Sequence, residues 1–153
     1  MTKLYLAYGS NLSISQMAFR CPDAKLVGVS TIEGYEMLFK GSLTGSYATI
    51  EKKEGSYVPV AVWEVSKKDE ASLDRYEGYP TFYYKKDMRV RIYSQTGEFK
   101  QEATAMVYIM DERRNLGIPT QYYWEVLQEG YKRFQFDPRI LQDAIEKSQQ
   151  ASA

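Results

Sequence analysis

The alternation of apolar and polar residues predicts that the first two thirds of the chain form mainly β-strands. Short stretches near residues 3–8, 25–30, 35–40, 47–52 and 58–65 place apolar side chains at alternate positions or in brief runs. Two longer alternating stretches, at about 82–93 and 102–110, flank a turn that contains Thr96 and Gly97. We therefore expect a sheet that buries one of its faces.

Helical segments are predicted by the residues that flank them. Three hydroxyl residues can cap the first backbone N–H groups of a helix, and they are Ser13, Ser66 and Thr120. They indicate helices over about 14–20, 67–76 and 121–134. Gly78 is expected to end the second of these, since glycine readily adopts the left-handed conformation of a helix C-terminus.

The C-terminal third of the chain completes the predicted fold class. Asp137 and Pro138 place a capping side chain and a first-turn proline ahead of a last helix through about residue 147, and residues 148–153 are expected to fray. The predicted order is strands, one inserted helix, further strands and then helices. This order indicates an α+β protein with a strongly curved, barrel-like sheet. The length of 153 residues fits one domain, residues 1–153.

Charge and hydropathy restrict the functions that such a domain can have. Lysine and arginine together number 20, as do aspartate and glutamate, so no net charge favours nucleic acid or an anionic membrane. A small molecule is the more suitable partner. No apolar run approaches the roughly 18 residues of a membrane-spanning helix, and the N-terminus lacks a secretory signal pattern. We therefore expect a cytoplasmic protein, whose oligomeric state stays open.

The absence of histidine narrows the chemistry further. It excludes Ser-His-Asp and Cys-His catalysis and removes the commonest ligand of zinc. The one cysteine, Cys21, cannot build a multi-thiolate metal site and is expected to be a small buried residue. We expect no metal, and acid–base chemistry by carboxylates, tyrosines, lysines or Cys21. The 14 tyrosines either tie the core to polar groups or line a polar pocket.

Two glycine-containing segments could hold a ligand. In Tyr8-Gly9-Ser10-Asn11 the glycine would let the main chain approach a ligand, and amides near the following helix start could face an anion. Such a segment, taken alone, is more often a turn and a helix cap. Residues 41–46 share glycines with a phosphate loop but lack its lysine and following helix, so a hairpin turn is the better interpretation.

The order of three motifs along the chain is more specific than any of them alone. Tyr-Gly-Ser-Asn-Leu at 8–12 is followed by Leu-Asp-Arg-Tyr-Glu-Gly at 73–78 and by Pro-Thr-Gln-Tyr-Tyr at 119–123. In this combination the chain resembles the γ-glutamylcyclotransferase-like (AIG2-like) family, from Leu4 to about Tyr131. The resemblance implies a small mixed, barrel-like sheet with flanking helices, which agrees with the pattern of strands and helices above.

The resemblance also implies a role for each motif. The loop made of Tyr8, Gly9, Ser10, Asn11 and Leu12 would hold the γ-glutamyl part of a substrate. Its backbone amides could bind either the substrate α-carboxylate or the developing oxyanion, and both assignments stay open.

The second and third motifs supply one proposed catalytic residue and one candidate contact. In the family the glutamate that precedes glycine is the acid/base, and this position is Glu77. The third motif carries Thr120 where the family has serine, which keeps a capping hydroxyl. Either Tyr8 or Tyr123 could donate a hydrogen bond at the reacting end of the substrate. Tyr123 could instead simply pack at the first turn of its helix.

The implied reaction is an internal cyclisation. A small γ-glutamyl amino acid, peptide or amine is converted to 5-oxoproline and a free amine, without a metal or an organic cofactor. Holding the folded conformer can supply much of the rate, since both reacting groups belong to one molecule. At a helix C-terminus with restricted water, the pKa of Glu77 should rise.

Other functions are compatible with the same motifs. A non-catalytic binding or regulatory module that retains the pocket is the main alternative, because one fold hosts several functions. An anion-binding enzyme unrelated to cyclisation is supported only by the glycine-containing loops.

Overall fold

A closed β-barrel forms the centre of the molecule. In residues 1–42 and 45–152, which the computed structural model describes, the strands are Thr2–Ala7 (β1), Lys25–Ser42 (β2), Gly45–Ser66 (β3), Tyr83–Tyr93 (β4) and Phe99–Met110 (β5). They close in the order β1-β3-β2-β4-β5, with β1 and β5 parallel and the other pairs antiparallel. The predicted α+β class and barrel-like sheet are confirmed.

Two strands are longer than the sequence pattern indicates. The predicted strands near 25–30 and 35–40 are parts of β2, and those near 47–52 and 58–65 are parts of β3. Between the pairs Glu33–Tyr57 and Tyr35–Lys52 the register shifts, so a bulge interrupts the pairing without ending either strand. The irregular residues break the apolar alternation, and for that reason each long strand was predicted as two.

The predicted hairpin turn at 41–46 joins β2 to β3. Gly41 pairs with Ser46 and Ser42 pairs with Gly45, which is the pairing that flanks a tight hairpin. Leu43 and Thr44, which fall within the segment predicted as this turn, lie outside the described residues.

The predicted helices are present and their predicted caps are made. They are Ile14–Arg20 (α1), Lys67–Glu77 (α2), Gln121–Phe134 (α3) and Arg139–Ser152 (α4). The side chains of Ser13, Ser66 and Thr120 accept hydrogen bonds from backbone N–H groups in the first turns of α1, α2 and α3. Gly78 ends α2 with a φ of 65°, the left-handed conformation expected for it.

The predicted fraying of residues 148–153 is wrong for most of that segment. α4 continues through Ser152 instead of ending near Lys147, and Ala153 lies outside the described residues. Burial explains the difference, because Ala144 and Ser148 are buried one turn apart on the face of α4 that contacts β2. That contact holds the last turns of the helix against the barrel.

The end of β1 and the end of α2 position the candidate site. β1 runs directly into Tyr8 and a single 3-10 turn, Ser10–Leu12, while α2 ends at Glu77. The side chain of Tyr108 on β5 donates a 2.6 Å hydrogen bond to Asp74 of α2, which ties that helix to the barrel. In the part of the chain that the structure describes, no helix is long and apolar enough to cross a membrane.

Candidate active site

A cavity of about 310 Å³ lies where the loop after β1 meets the end of α2. Its volume is at the lower end of the range of small-molecule pockets. The cavity brings together all but one of the residues singled out from the sequence, and those residues are Tyr8, Gly9, Ser10, Asn11, Glu77 and Tyr123. Residues that are far apart along the chain therefore share one concave surface.

Leu12 is the predicted site residue that does not line the cavity. Its side chain is fully buried, and it packs against α3 at Gly130, where an added Cβ would lie 2.6 Å from the Leu12 Cβ. The backbone N–H of Leu12 is not available to a ligand either, since it donates to the Gly9 carbonyl at 3.0 Å. Leu12 thus fixes the loop against α3, and the expectation that it contacts a ligand does not agree with its position.

The loop is held by a network of side chains. The Asn11 amide donates to the Tyr5 hydroxyl at 2.9 Å, and its oxygen accepts a hydrogen bond from Arg20 of α1. Ser10 and Tyr76 of α2 share a hydrogen bond of 2.9 Å between their hydroxyls. Because Asn11 is buried and both its amide nitrogen and its amide oxygen are hydrogen-bonded, its side chain has a structural part in this geometry.

The start of the 3-10 turn presents backbone N–H groups for which the described part of the chain supplies no acceptor. Among the described residues, the N–H groups of Ser10 and Asn11 have no hydrogen-bond acceptor, whereas that of Leu12 is paired within the loop. Backbone N–H groups left unpaired beside a cavity are suited to binding an anion or a developing oxyanion. The loop can therefore offer amides at positions 10 and 11, but not at position 12.

The tyrosine hydroxyls around the cavity differ in the direction of their hydrogen bonds. Tyr8 donates to the Tyr108 carbonyl at 2.7 Å, and Tyr83 donates to the Ala48 carbonyl at 2.8 Å. Tyr123 instead accepts from the Ala48 N–H at 3.0 Å. Since that bond uses an oxygen lone pair, the Tyr123 proton remains able to donate to a ligand, whereas the Tyr8 and Tyr83 protons are already used.

Glu77 is the carboxylate that lines this cavity. It is the last residue of α2 and is half-buried. Burial removes water from the carboxylate and raises the pKa of Glu77 to about 7, although the nearby Arg20 guanidinium opposes that rise. The predicted rise in the pKa of Glu77 is confirmed. A group with a pKa near neutral can both accept and release a proton at physiological pH.

The Glu77 carboxylate acts electrostatically on two neighbouring tyrosines. Burial, followed by the negative charge of Glu77, raises the pKa of both Tyr5 and Tyr8 well above the usual value. These hydroxyls therefore stay neutral and act as hydrogen-bonding groups, so among these three side chains only Glu77 can exchange protons near pH 7.

Several cavity residues were not identified from the sequence. They come from α2 and from four strands or their flanks, and they include Tyr5, Tyr47, Arg75, Tyr76, Phe82, Tyr83 and Tyr108. The abundance of tyrosine was the only general signal for them. Arg75 and Tyr76 lie inside the motif that contains Glu77, so proximity in sequence could have identified these two.

Cys21 and the acidic residues are further candidate chemical groups in the sequence. Cys21 is buried, as expected, and burial raises the pKa of its thiol to about 12. Within the described part of the chain, no group of three or more Cys, Asp or Glu side chains is placed to hold a metal ion.

Comparisons with known proteins agree with the fold and with the motifs. A family model described as "Gamma-glutamyl cyclotransferase, AIG2-like" matches residues 5–126. The gamma-glutamylcyclotransferase of Bos taurus is 32% identical over 136 residues, which cover 84% of this chain and 70% of that protein. The gamma-glutamylcyclotransferase of Homo sapiens is 31% identical over 136 residues, with the same 84% and 70% covered.

Solved structures give the same result. One chain described as "Gamma-glutamyl cyclotransferase" has a TM-score of 0.75 and 25% sequence identity, with 100% of this chain and 88% of that chain covered. A second, described as an uncharacterized protein from Homo sapiens, has a TM-score of 0.73 and 26% identity, with 99% and 87% covered.

Proposed function

Because the chain belongs to the gamma-glutamyl cyclotransferase, AIG2-like family, we propose that it converts a small γ-glutamyl amino acid, peptide or amine to 5-oxoproline and a free amine. Glu77 is the general acid and base of this reaction. The observation that carries the proposal is the position of Glu77, with its pKa of about 7, in the same cavity as the loop at residues 8–11.

The loop would hold the γ-glutamyl part of the substrate. The unpaired N–H groups of Ser10 and Asn11 suit the substrate α-carboxylate or the oxyanion that develops on the γ-carbonyl oxygen. Tyr123 is placed to donate a hydrogen bond near Gly9, because its hydroxyl would lie 3.1 Å from a Cβ built at that glycine. Tyr8 forms part of the pocket wall and does not donate to the substrate, since its hydroxyl already donates to the Tyr108 carbonyl.

Two protons must leave the substrate α-ammonium nitrogen, because it carries three hydrogens and the ring nitrogen of 5-oxoproline carries one. The carboxylate of Glu77 first removes one proton from the α-ammonium, and the freed amine attacks the γ-carbonyl carbon to form a new C–N bond. Glu77 then gives this proton to the original nitrogen, and the tetrahedral intermediate expels that nitrogen as a neutral amine as the old C–N bond breaks. The ring nitrogen loses its second proton to the Glu77 carboxylate, which passes it to the released amine. Glu77 returns to its starting state, and no oxidant, reductant or other group is consumed.

The reaction needs few catalytic groups, because the pocket acts mainly by holding the substrate in the reactive conformation. The nucleophile and the electrophile belong to the same molecule, so a pocket that holds the folded conformer replaces a collision between two molecules. For the same reason we propose that neither a metal nor an organic cofactor takes part. A cytoplasmic location stays a prediction.

The test is the formation of 5-oxoproline from a panel of γ-glutamyl amino acids, peptides and amines. We expect turnover in the wild-type protein and a loss of about 10² to 10⁴ in kcat for Glu77→Gln, the usual contribution of a general acid or base. Asp143→Asn, on the exposed face of α4, is the control and should keep full activity.

Binding measured by calorimetry separates catalysis from simple recognition. Glu77→Gln should still bind a γ-glutamyl ligand, because the loop and not the carboxyl group holds it. Binding without any 5-oxoproline from the wild-type protein would favour the non-catalytic module. Full activity of Glu77→Gln would exclude the proposed acid/base.

A further inference from the structure

The cavity has a buried end and an exposed end. At the buried end, Tyr5 is 4% exposed and Tyr8 is 6% exposed, and the loop closes the pocket around them. At the other end, Tyr47 is 44% exposed and Tyr76 is 45% exposed, although both line the same cavity. We call the exposed residues Tyr47, Arg75 and Tyr76, together with the half-buried Phe82, the rim.

The rim is rich in aromatic surface. The rings of Tyr47 and Phe82 meet edge to face, with centroids 6.4 Å apart and an interplanar angle of 87°. Tyr47 also meets Tyr123 edge to face at 5.3 Å. Aromatic faces that are exposed beside a pocket gain free energy when an apolar or aromatic group covers them. A compact ligand confined to the buried end would leave this surface in water.

Among the described residues, the rim contains a cation without a carboxylate partner. Arg75 donates from Nη2 to Ser72 at 3.3 Å, and no described carboxylate forms an ion pair with it. Arg20 differs, because it bonds to Asn11 and Gln16 and stacks over the Tyr76 ring. Arg114 lies over the Phe82 ring but does not line the cavity. Within the described part of the chain, only Arg75 therefore lines the cavity with a guanidinium that can still bind a carboxylate in its planar fork.

We propose that the leaving group is an α-amino acid with a large aromatic side chain, whose carboxylate binds Arg75 and whose ring packs against Tyr47 and Phe82. The proposal rests on the proposed function, in which the γ-glutamyl part occupies the buried end. The carboxylate of such a leaving group is one carbon away from the nitrogen that Glu77 protonates. Arg75 is only two residues before Glu77, at the same end of α2.

Other leaving groups fit the rim less well. A small amino acid would reach Arg75 but would not cover the aromatic rings. A free amine that carries a positive charge would meet Arg75 as a like charge, which disfavours it. An aromatic amine without a carboxylate would cover the rings but would leave the guanidinium unpaired. The small amino acid and the aromatic amine each lack one of the two proposed contacts, so these two classes define the comparison that the experiment needs.

The experiment measures kcat/KM for three compounds by the formation of 5-oxoproline. They are γ-glutamyl-phenylalanine, γ-glutamyl-alanine and γ-glutamyl-phenethylamine, which lacks only the carboxylate of the first. We expect γ-glutamyl-phenylalanine to be preferred over each of the others by about fivefold or more, the effect of one aromatic contact or one partly exposed charge pair.

Two variants assign each preference to its residue. Arg75→Gln should remove the preference for γ-glutamyl-phenylalanine over γ-glutamyl-phenethylamine, and Tyr47→Leu should reduce its preference over γ-glutamyl-alanine. Arg133→Gln and Tyr57→Leu change exposed residues outside the cavity, and both should keep the wild-type preferences. The γ-glutamyl-phenethylamine rate of Arg75→Gln and the γ-glutamyl-alanine rate of Tyr47→Leu do not depend on the contact that is removed, so they report whether each variant is still folded and active.

The outcomes separate this proposal from the proposed function. Turnover of all three compounds at equal rates, or a preference that Arg75→Gln and Tyr47→Leu leave intact, would overturn the assignment of the leaving group alone. No 5-oxoproline from any γ-glutamyl compound would overturn the proposed function as well.

Discussion

The bonded side chains at the buried end of the cavity and Arg75 at the rim use their polar groups in opposite ways. At the buried end, Tyr8 and Tyr83 donate to backbone carbonyls and Asn11 bonds to Tyr5. At the rim, Arg75 has no carboxylate partner among the described residues. Side chains that are already bonded keep one fixed shape, whereas an unpaired side chain can bind a variable part of a ligand. We therefore expect loss of the bonded side chains at the buried end to affect stability, and loss of the Arg75 guanidinium to affect only selectivity.

Glu77 should have the largest effect on stability of the cavity residues, and the effect should depend on pH. Its pKa is about 7 in the folded protein and about 4.3 in an unfolded chain, so ionisation destabilises the fold. The folded state binds more protons between these values, and wild-type stability should therefore fall as pH rises from about 4.3 to 7. Glu77→Gln cannot ionise and should be more stable than wild type at pH 8 by at most about 4 kcal/mol, since each pKa unit corresponds to about 1.4 kcal/mol.

Urea unfolding of both proteins at pH 4 and pH 8 measures this difference. The stabilisation of Glu77→Gln relative to wild type should be small at pH 4 and largest at pH 8. The control Glu125→Gln, on the exposed face of α3, should show no such pH dependence. An equal effect of Glu77→Gln at both pH values would contradict the raised pKa.

Local chemistry made much of the fold predictable. The caps at Ser13, Ser66 and Thr120 and the helix end at Gly78 depend on residues within one turn, so the sequence was sufficient to place them. The continuity of β2 and β3 was not predictable, because their bulge is stabilised by pairing between strands, and that pairing is a tertiary property.

The candidate site was predictable only in part, for a similar reason. The loop at residues 8–11 and Glu77 lie in recognisable motifs, and the cavity brings them together. Leu12 belongs to the same motif but contacts Gly130, a residue of α3 whose packing cannot be inferred from the motif. Tyr83 and Tyr108 come from different strands, and nothing in their local sequence separates them from tyrosines elsewhere.

Asn11 should have the next largest effect, at the buried end. Asn11→Ala removes the bond to the Tyr5 hydroxyl and the bond from Arg20, and it leaves a buried hydroxyl without its partner. We expect the free energy of unfolding to fall by about 1 to 3 kcal/mol. Chemical denaturation measures this loss. Asn115→Ala at an exposed position is the control, and equal values for the two variants would show that the network around Asn11 does not stabilise the loop.

Two tyrosines test the contrast between bonded side chains inside the cavity and exposed side chains outside it, because the same change to phenylalanine removes one hydroxyl from each. Tyr83→Phe removes the 2.8 Å hydrogen bond to the Ala48 carbonyl and should cost about 1 kcal/mol of stability. Tyr79→Phe lies outside the cavity at a residue that is 41% exposed, and it keeps the ring beneath Lys85, so its effect should be close to zero. Thermal or urea unfolding compares the two. A larger loss in Tyr79→Phe would reverse the expected order.

Arg75 should have the smallest effect on stability. Arg75→Gln removes an exposed side chain that forms no ion pair within the described residues, so the free energy of unfolding should change by less than about 0.5 kcal/mol. Urea unfolding and the kinetic comparison of leaving groups can use the same preparation. A loss of stability of more than about 1 kcal/mol would mean that Arg75 supports the fold, and the separation of the two ends would then fail.

The most direct test of the account is the titration of the Glu77 carboxyl group, set beside the pH dependence of turnover. Nuclear magnetic resonance of ¹³C-labelled glutamate side chains, with Glu77→Gln to assign the signal, gives the pKa of this group. We expect a value of about 7, and we expect kcat/KM for a γ-glutamyl substrate to rise with pH through the same value, because the base must be ionised. A carboxyl group that titrates near the ordinary value of about 4.3, or a rate that does not change around pH 7, would contradict the role of Glu77.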